Sequence, residues 1–305
     1  MGKAKGGLCK RKPHNSPRHA GYWFVLPLTA VILVFLVYPI AKAALMSVQY
    51  WYLPKASTQG NYFVGTDNFT GVLQDDYFWK SIRTTLSYMG VTIVARYLLG
   101  LGTAVLLNQK FPGRVVARAL VIIPWAVPEV VASLVWILMY DKDFGIINYL
   151  FTNFQFISQP LGFLTDTRFA LWAADAVAIW KGFPFVAIML LSGLQSVPGE
   201  LYEAARIDGA NALGQFRFVT LPSLKPVSVV VFLLLVIWTI KDFGIIYLLA
   251  KGGPSRATQL LPIYTYQMGF SNFDFGRAAA SGMFMLLFSV VFTLVYLNKV
   301  KEEDE

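Results

Sequence analysis

Six blocks of the chain are dominated by apolar residues, and each is about as long as a helix needs to cross roughly 30 Å of hydrocarbon. They run over Tyr22–Leu45, Ile82–Leu107, Ala119–Tyr140, Phe169–Leu194, Val227–Ala250 and Ala278–Asn298. None alternates in twos, as the strands of a membrane barrel would. The pattern therefore predicts an all-α membrane protein with six transmembrane helices. Long segments at 46–81, 141–168 and 251–277 separate some of the blocks, and a short basic one lies at 108–118. No internal repeat or low-complexity run interrupts the series.

One polar stretch stands apart, EAARIDGANALGQFRFVTLP, from Glu203 to Pro222 between two apolar blocks. Pro198 suits the first turn of a helix, where its missing N–H costs little. Glu200 and Glu203 favour the positive end of the helix dipole. Leu201, Ala204 and Ala205 fall on one face, and Glu203 and Arg206 are spaced to pair across one turn. Gly209 offers a stop. Leu213, Phe216 and Val219 form a second short stripe, and Leu221-Pro222 leads into the next span. A helix lying flat on the membrane is the bland reading. Its adjacent alanines argue against that, because such helices present bulky apolar residues. Small residues admit a close partner surface instead.

Composition narrows the class. Of 305 residues, 56% are hydrophobic and 14% charged, against about 25% charged in soluble domains. The net charge of +9 does not call for nucleic acid, since Lys and Arg gather on cytoplasmic segments of membrane proteins. They gather here in the N-terminal tail, at Lys110–Arg118, in the loop after the fourth block and at the C-terminus. That bias predicts both termini cytoplasmic and places the polar stretch on the same side. The chain divides into a basic cytoplasmic tail (1–20), a transmembrane domain (21–299) with a cytoplasmic loop at about 196–224, and an acidic C-terminal tail (300–305). Ala41-Lys42-Ala43 loosely resembles a signal cleavage site, but the apolar core before it exceeds the usual 7–15 residues. The first block is therefore expected to remain as a span. There is no G-x-x-x-x-G-K-[ST] loop for ATP and no cluster with metal-ligand spacing. Cys9, with His14 and His19 in the same tail, reads as an idle thiol.

The polar stretch also carries a resemblance. E-A-A-x-x-D-G-A followed by L-P, here Glu203, Ala204, Ala205, Asp208, Gly209, Ala210, Leu221 and Pro222, resembles the signature loop of binding-protein-dependent ABC importer permeases. LPSLKP, IWKGFPF, IIPWAVPEVVASLVW, YLLAKGGP and YTYQMGFSNFDFGRAAA resemble the sugar-permease branch, of maltose and glycerol-phosphate type, and the order is similar to the first of its two permease subunits. The resemblance covers nearly all of the chain from Tyr22 onward. Two extra spans and a large outer domain of the maltose form are lacking, so the six-span glycerol-phosphate form is the nearer likeness.

The resemblance implies the type I ABC importer permease fold in the cytoplasmic (inner) membrane. It implies a second permease subunit, two ATPase subunits seated on the coupling loop, and an extracytoplasmic solute-binding protein. ATP and Mg are then handled by the partner ATPases, and this chain needs no cofactor, no metal and no nucleic acid; its remaining contact is membrane lipid. It also implies a substrate cavity lined by Lys181, Gly182 and Phe185 of the fourth span and by Trp238, Thr239 and Asp242 of the fifth. Aromatic faces that stack on a sugar ring and polar groups that bind hydroxyls suit a carbohydrate.

Ionisable groups inside spans cost about 2.5–3.5 kcal/mol each unless paired or wetted. Glu129, Asp175, Lys181, Lys241 and Asp242 are expected mid-span, with Lys42 and Arg96 nearer an interface. Lys181 and Lys241 favour an anionic substrate such as a uronate or phosphorylated sugar, unless each pairs with an acid such as Asp175 or Asp242. Two other functions remain open: an ABC permease for another small solute, and an autonomous secondary transporter, which would show inverted repeats.

Overall fold

The computed structural model describes residues 20–55, 58 and 60–304. The Cys9, His14 and His19 reading, and nearly all of the N-terminal tail, lie outside the described residues. The first span joins α1 (Ala20–Ile32) and α2 (Tyr38–Ser47) through a π-helical turn at Leu33–Val37. Pro39 stands two residues after that turn ends, in the first turn of α2. A proline has no N–H to give and crowds the preceding turn, and a widened π turn accommodates both defects. The apolar window of this span is 0% buried within the chain, which leaves most of it for lipid or a partner helix, while α2 packs against the sixth span.

A small cap follows. Strands β1 (Gln49–Tyr50) and β2 (Tyr62–Phe63) pair antiparallel, and Tyr50 stacks on Tyr62 at 5.0 Å. Helix α3 (Asp67–Leu73) supplies Asn68, whose amide donates to the carbonyls of Ser47 (3.0 Å) and Gln49 (2.8 Å). The second span is α4 (Asp76–Asn108), which starts six residues before the apolar block because Asp75 caps it, accepting from the Tyr77 N–H at 2.9 Å.

The third block does not form one helix. Helices α5 (Arg114–Ala126) and α6 (Glu129–Met139) meet at 92°. Pro128 is the cause: it disfavours the helical region for the residue before it, and Val127 is extended at φ −66°, ψ 131°. A short α7 (Ile146–Asn153) precedes α8 (Ala170–Gln195), the fourth span.

The polar stretch forms α9 (Gly199–Ile207), a break, and then α10 (Ala212–Gln215). The fifth span begins before its apolar block and runs unbroken from Ala212 to Thr239. A second π turn at Phe216–Thr220 precedes α11 (Leu221–Thr239) and its Pro222, as at Pro39. The fifth span also ends early. It stops at Thr239 rather than Ala250, and α12 (Gly244–Ala250) restarts after a turn. Helix α13 (Leu261–Tyr266) and a π turn at Gln267–Ser271 lead to the sixth span in α14 (Phe275–Asp304).

Three apolar clusters hold these parts. One joins α4, α8 and α11 through Ile93, Leu107, Val186, Leu190, Leu224 and Leu235. A second packs Tyr88, Tyr140, Val177 and Ile246. A third packs Phe78, Leu261 and Tyr264 under the cap. There Tyr264 donates to Asp75 at 2.8 Å; burial, then the carboxylate, raises the pKa of its hydroxyl.

The inside orientation of the termini is checked by labelling. In a Cys9→Ser background, a cysteine replacing the exposed Ser158 is expected to react with an impermeant maleimide added outside. One replacing the exposed Ala212 is expected to react only after permeabilisation. Outside labelling at 212 would invert the topology.

Candidate functional site

Two interruptions, between α5 and α6 and between α11 and α12, line a cavity of about 560 Å³ together with the middle of α8. Its wall includes Arg96, Glu129, Lys181, Trp238, Lys241 and Asp242, with Gly182 and Phe243 beside them. Four of the six residues expected to line a substrate cavity, Lys181, Gly182, Trp238 and Asp242, are thus brought together. The other two stand behind the wall. Phe185 packs on Trp238 at 4.8 Å and on Trp125 at 6.2 Å. Thr239 is fully buried and accepts from the Arg96 guanidinium at 3.3 Å.

Arg96 is the main correction. It is not near an interface; it is buried midway along α4. Its Nε donates to the Ala178 carbonyl at 3.1 Å, and its Nη2 lies 3.6 Å from Asp242 Oδ2. The Tyr88 hydroxyl donates to the same oxygen at 2.6 Å. Arg96 therefore ties the second span, the fourth span and the break in the fifth. Gly182 makes room for it: a Cβ there would sit 2.6 Å from Arg96 Nε. Asp242 pairs with Arg96 and not with the adjacent Lys241, even though the helix is broken between them and Gly244.

Lys181 does not pair with Asp175. It donates to the carbonyls of Val127 (2.6 Å) and Trp125 (3.3 Å). These carbonyls are left over at the end of α5, where a cation is favoured by the helix dipole. Glu129 opens α6, and its carboxylate occupies the space over Gly244. Asp175 is buried, and its Oδ1 has no hydrogen-bond partner among the described residues. Lys42 lies over Trp51 at 5.2 Å, close to the cap. Sequence reasoning missed Trp125 and Phe243 as wall residues. The signal for Trp125 was the P-x-x-x-P spacing of Pro124 and Pro128, which marks a broken span.

At the other candidate site, α9 ends as a Schellman motif. Gly209 has φ +82° and donates to the Arg206 carbonyl at 3.0 Å, while Ala210 donates to that of Ala205 at 2.8 Å. Asn211 then caps α10, accepting from Gly214 at 2.9 Å. Tyr202 shares a hydrogen bond with Thr220 at 3.2 Å, and Gln215 donates to the Ala210 carbonyl at 3.1 Å. These contacts fix α9 to the base of the fifth span. Glu203, Ala204, Asp208 and Gly209 are exposed, as are Leu221 and Pro222, whereas Ala205 and Ala210 are half-buried. Glu203 and Arg206 form no ion pair among the described residues. Beside them Ile207 is 87% exposed and Leu213 74%, so the surface is charged and apolar at once.

Residues 96–299 match the family described as binding-protein-dependent transport system inner membrane component. The chain belongs to this family. It is therefore a membrane transport component and not an enzyme. The permease is 37% identical to the trehalose/maltose transport system permease protein MalF of Thermococcus litoralis, covering 91% of this chain and 92% of that one. It is 31% identical to the sulfoquinovosyl glycerol transport system permease protein SmoG of Agrobacterium fabrum, covering 91% and 89%. In structure it is similar to a chain of a bacterial alginate ABC transporter solved with an alginate-bound periplasmic protein, with a TM-score of 0.78, 21% identity, and 90% and 91% coverage. That last likeness shows the type I importer permease fold.

Proposed function

We propose that this permease is one of two membrane subunits of an ATP-driven importer, and that its substrate is a carbohydrate. The observation that carries the reading is the cavity itself. It opens at two helix interruptions inside the membrane and presents Trp238 and Phe243 beside Arg96, Glu129, Lys241 and Asp242. Aromatic faces with a few convergent polar groups suit a sugar ring. Relatives named for maltose and for sulfoquinovosyl glycerol support it. A second permease subunit would complete the wall. The exposed face of α9, with Glu203 and Asp208, is the seat for an ATPase subunit, one on each permease. ATP and Mg then belong to those partners, and an extracytoplasmic binding protein delivers the sugar. The coupling role of Glu203 to Ala210 rests on the motif together with the fixed geometry of α9.

An anionic sugar is the second reading, and Lys241 favours it. Its side chain is exposed and lines the cavity, with no ion pair among the described residues. The test is uptake by the reconstituted importer of maltose, sulfoquinovosyl glycerol, a uronate pentasaccharide and a set of amino acids. At least one saccharide is expected to accumulate with ATP; uptake of amino acids alone overturns the carbohydrate reading. Lys241→Met is expected to lower uptake of an anionic sugar about tenfold, since a hydrogen bond to a charged group contributes roughly 1.5–3 kcal/mol. Uptake of a neutral one is expected to stay within about twofold. Equal effects on both would leave a neutral substrate.

A further inference from the structure

An apolar groove of about 390 Å³ lies between the second and sixth spans. Trp79, Leu86 and Met89 of α4 line it on one side, and Leu287, Phe288 and Val291 of α14 on the other. Leu86, Leu287 and Val291 are exposed, so the groove opens on the outside of the bundle. Thr85 also stands on its wall. The Thr85 hydroxyl donates to the Ser81 carbonyl at 2.7 Å and accepts from the Leu261 N–H at 2.8 Å, so its hydrogen bonds are made inside the protein.

The length of the groove matches one leaflet. From Trp79 to Met89 the helix rises about 15 Å, half of the roughly 30 Å of hydrocarbon. Trp79 marks the boundary. Its Nε1 donates to the Leu73 carbonyl at 2.8 Å, and Trp gathers where headgroups meet hydrocarbon. Arg83 lies one turn along α4 from Trp79 and one turn before Leu86, so it stands at the edge of the groove face. It is exposed and forms no hydrogen bond or ion pair among the described residues. A guanidinium beside an apolar wall needs a counterion, and its planar fork fits the oxygens of a phosphate.

We propose that this groove holds one phospholipid with an anionic headgroup, with an acyl chain between α4 and α14 and the phosphate on Arg83. A lipid satisfies both parts at once: hydrocarbon covers the walls, and the phosphate arrives at the depth of Arg83. A helix of a partner subunit seated there would have to set an acid against Arg83. Held this way, the lipid fastens the second span, which carries Arg96, to the sixth. The groove shares no wall residue with the cavity lined by Lys181 and Asp242, so the site is independent of what the permease transports.

The test uses the complete importer in liposomes of phosphatidylcholine with increasing phosphatidylglycerol, the latter brominated near the headgroup end of its chains. Bromine quenches a nearby indole, and the Trp79 signal is the difference between each protein and the same protein with Trp79→Phe. In the parent, half-quenching is expected well below equal fractions of the two lipids. In Arg83→Gln the ratio of phosphatidylglycerol to phosphatidylcholine at half-quenching is expected to rise about fivefold, the usual effect of one basic side chain at an anionic lipid surface. Arg83→Lys keeps the charge and is expected to stay within about twofold of the parent. Leu287→Phe with Val291→Phe fills the groove from exposed positions and is expected to reduce the extent of Trp79 quenching. Half-quenching at the same ratio in Arg83→Gln as in the parent, or undiminished quenching in the filled groove, would each overturn the site. Absence of Trp79 quenching in the parent would also overturn it, and would mean that a helix of another subunit covers the groove.

Discussion

Arg96→Met is expected to destabilise the folded permease by about 3–5 kcal/mol, the usual cost of removing one partner of a buried ion pair. The mechanism is specific. Asp242 keeps the Tyr88 hydrogen bond at 2.6 Å but loses its guanidinium partner. The Ala178 carbonyl and Thr239 lose a donor as well. The side chains of Arg96 and Asp242 are 8% and 16% exposed, so water compensates little. Thermal unfolding in detergent measures the effect. Pairing the change with Asp242→Leu removes the orphaned charge, and the double variant is expected to recover at least half of the loss, because replacing a whole buried pair by apolar groups is often neutral. The double variant is still expected to transport poorly, since Asp242 lines the cavity. An Arg96→Met protein as stable as the parent would mean that the three segments are not held through this residue.

The elements that were legible in the sequence are those whose signal is local. A block of about twenty apolar residues defines a span by length alone, and the second, fourth and sixth spans lie close to their apolar blocks. Gly209 was readable as a helix stop because few other residues tolerate its φ of +82°. The failures occur where hydropathy is blind to backbone geometry. Ala119–Tyr140 is apolar along nearly all its length, yet Pro128 turns it by 92°. Val227–Ala250 is likewise mostly apolar, yet the chain leaves the helix between Thr239 and Gly244 so that Asp242 reaches Arg96. Conversely the polar run from Ala212 to Lys225 reads as a loop but continues the fifth span, because exposed helix faces outside the hydrocarbon need no apolar residues.

The candidate site shows the same division. Membrane cost marked Lys181 and Asp242 as residues needing partners. It did not say that the partners would be carbonyls freed by the α5 break for Lys181 and Arg96 for Asp242. Those are consequences of tertiary approach, of which Gly182 is the only sequence trace: it is small because the Arg96 side chain passes over it.

Gly209→Pro is expected to abolish ATP-driven uptake while leaving the permease inserted and able to assemble with its partners. Proline fixes φ near −65° and has no N–H, whereas Gly209 holds φ +82° and donates to Arg206. Both requirements of the Schellman end fail together. The cost is about 3 kcal/mol or more, which corresponds to about a hundredfold fall in the population of the docked geometry. Because Tyr202, Thr220 and Gln215 hold α9 to the base of the fifth span, an ATPase seated on α9 as proposed would move the helix that ends at the cavity. A frayed α9 end breaks that linkage without touching the cavity. Gly209→Ala separates the two requirements: it keeps the N–H and is expected to cost only about 1–2 kcal/mol for the left-handed conformation, so uptake falls several-fold and not to background. The measurement is uptake per assembled complex, with ATPase stimulation by the loaded binding protein followed in parallel. In the proline variant ATP hydrolysis is expected to persist uncoupled from uptake. Normal uptake in that variant would remove the coupling role from the Glu203–Ala210 segment and leave α9 as a surface helix only.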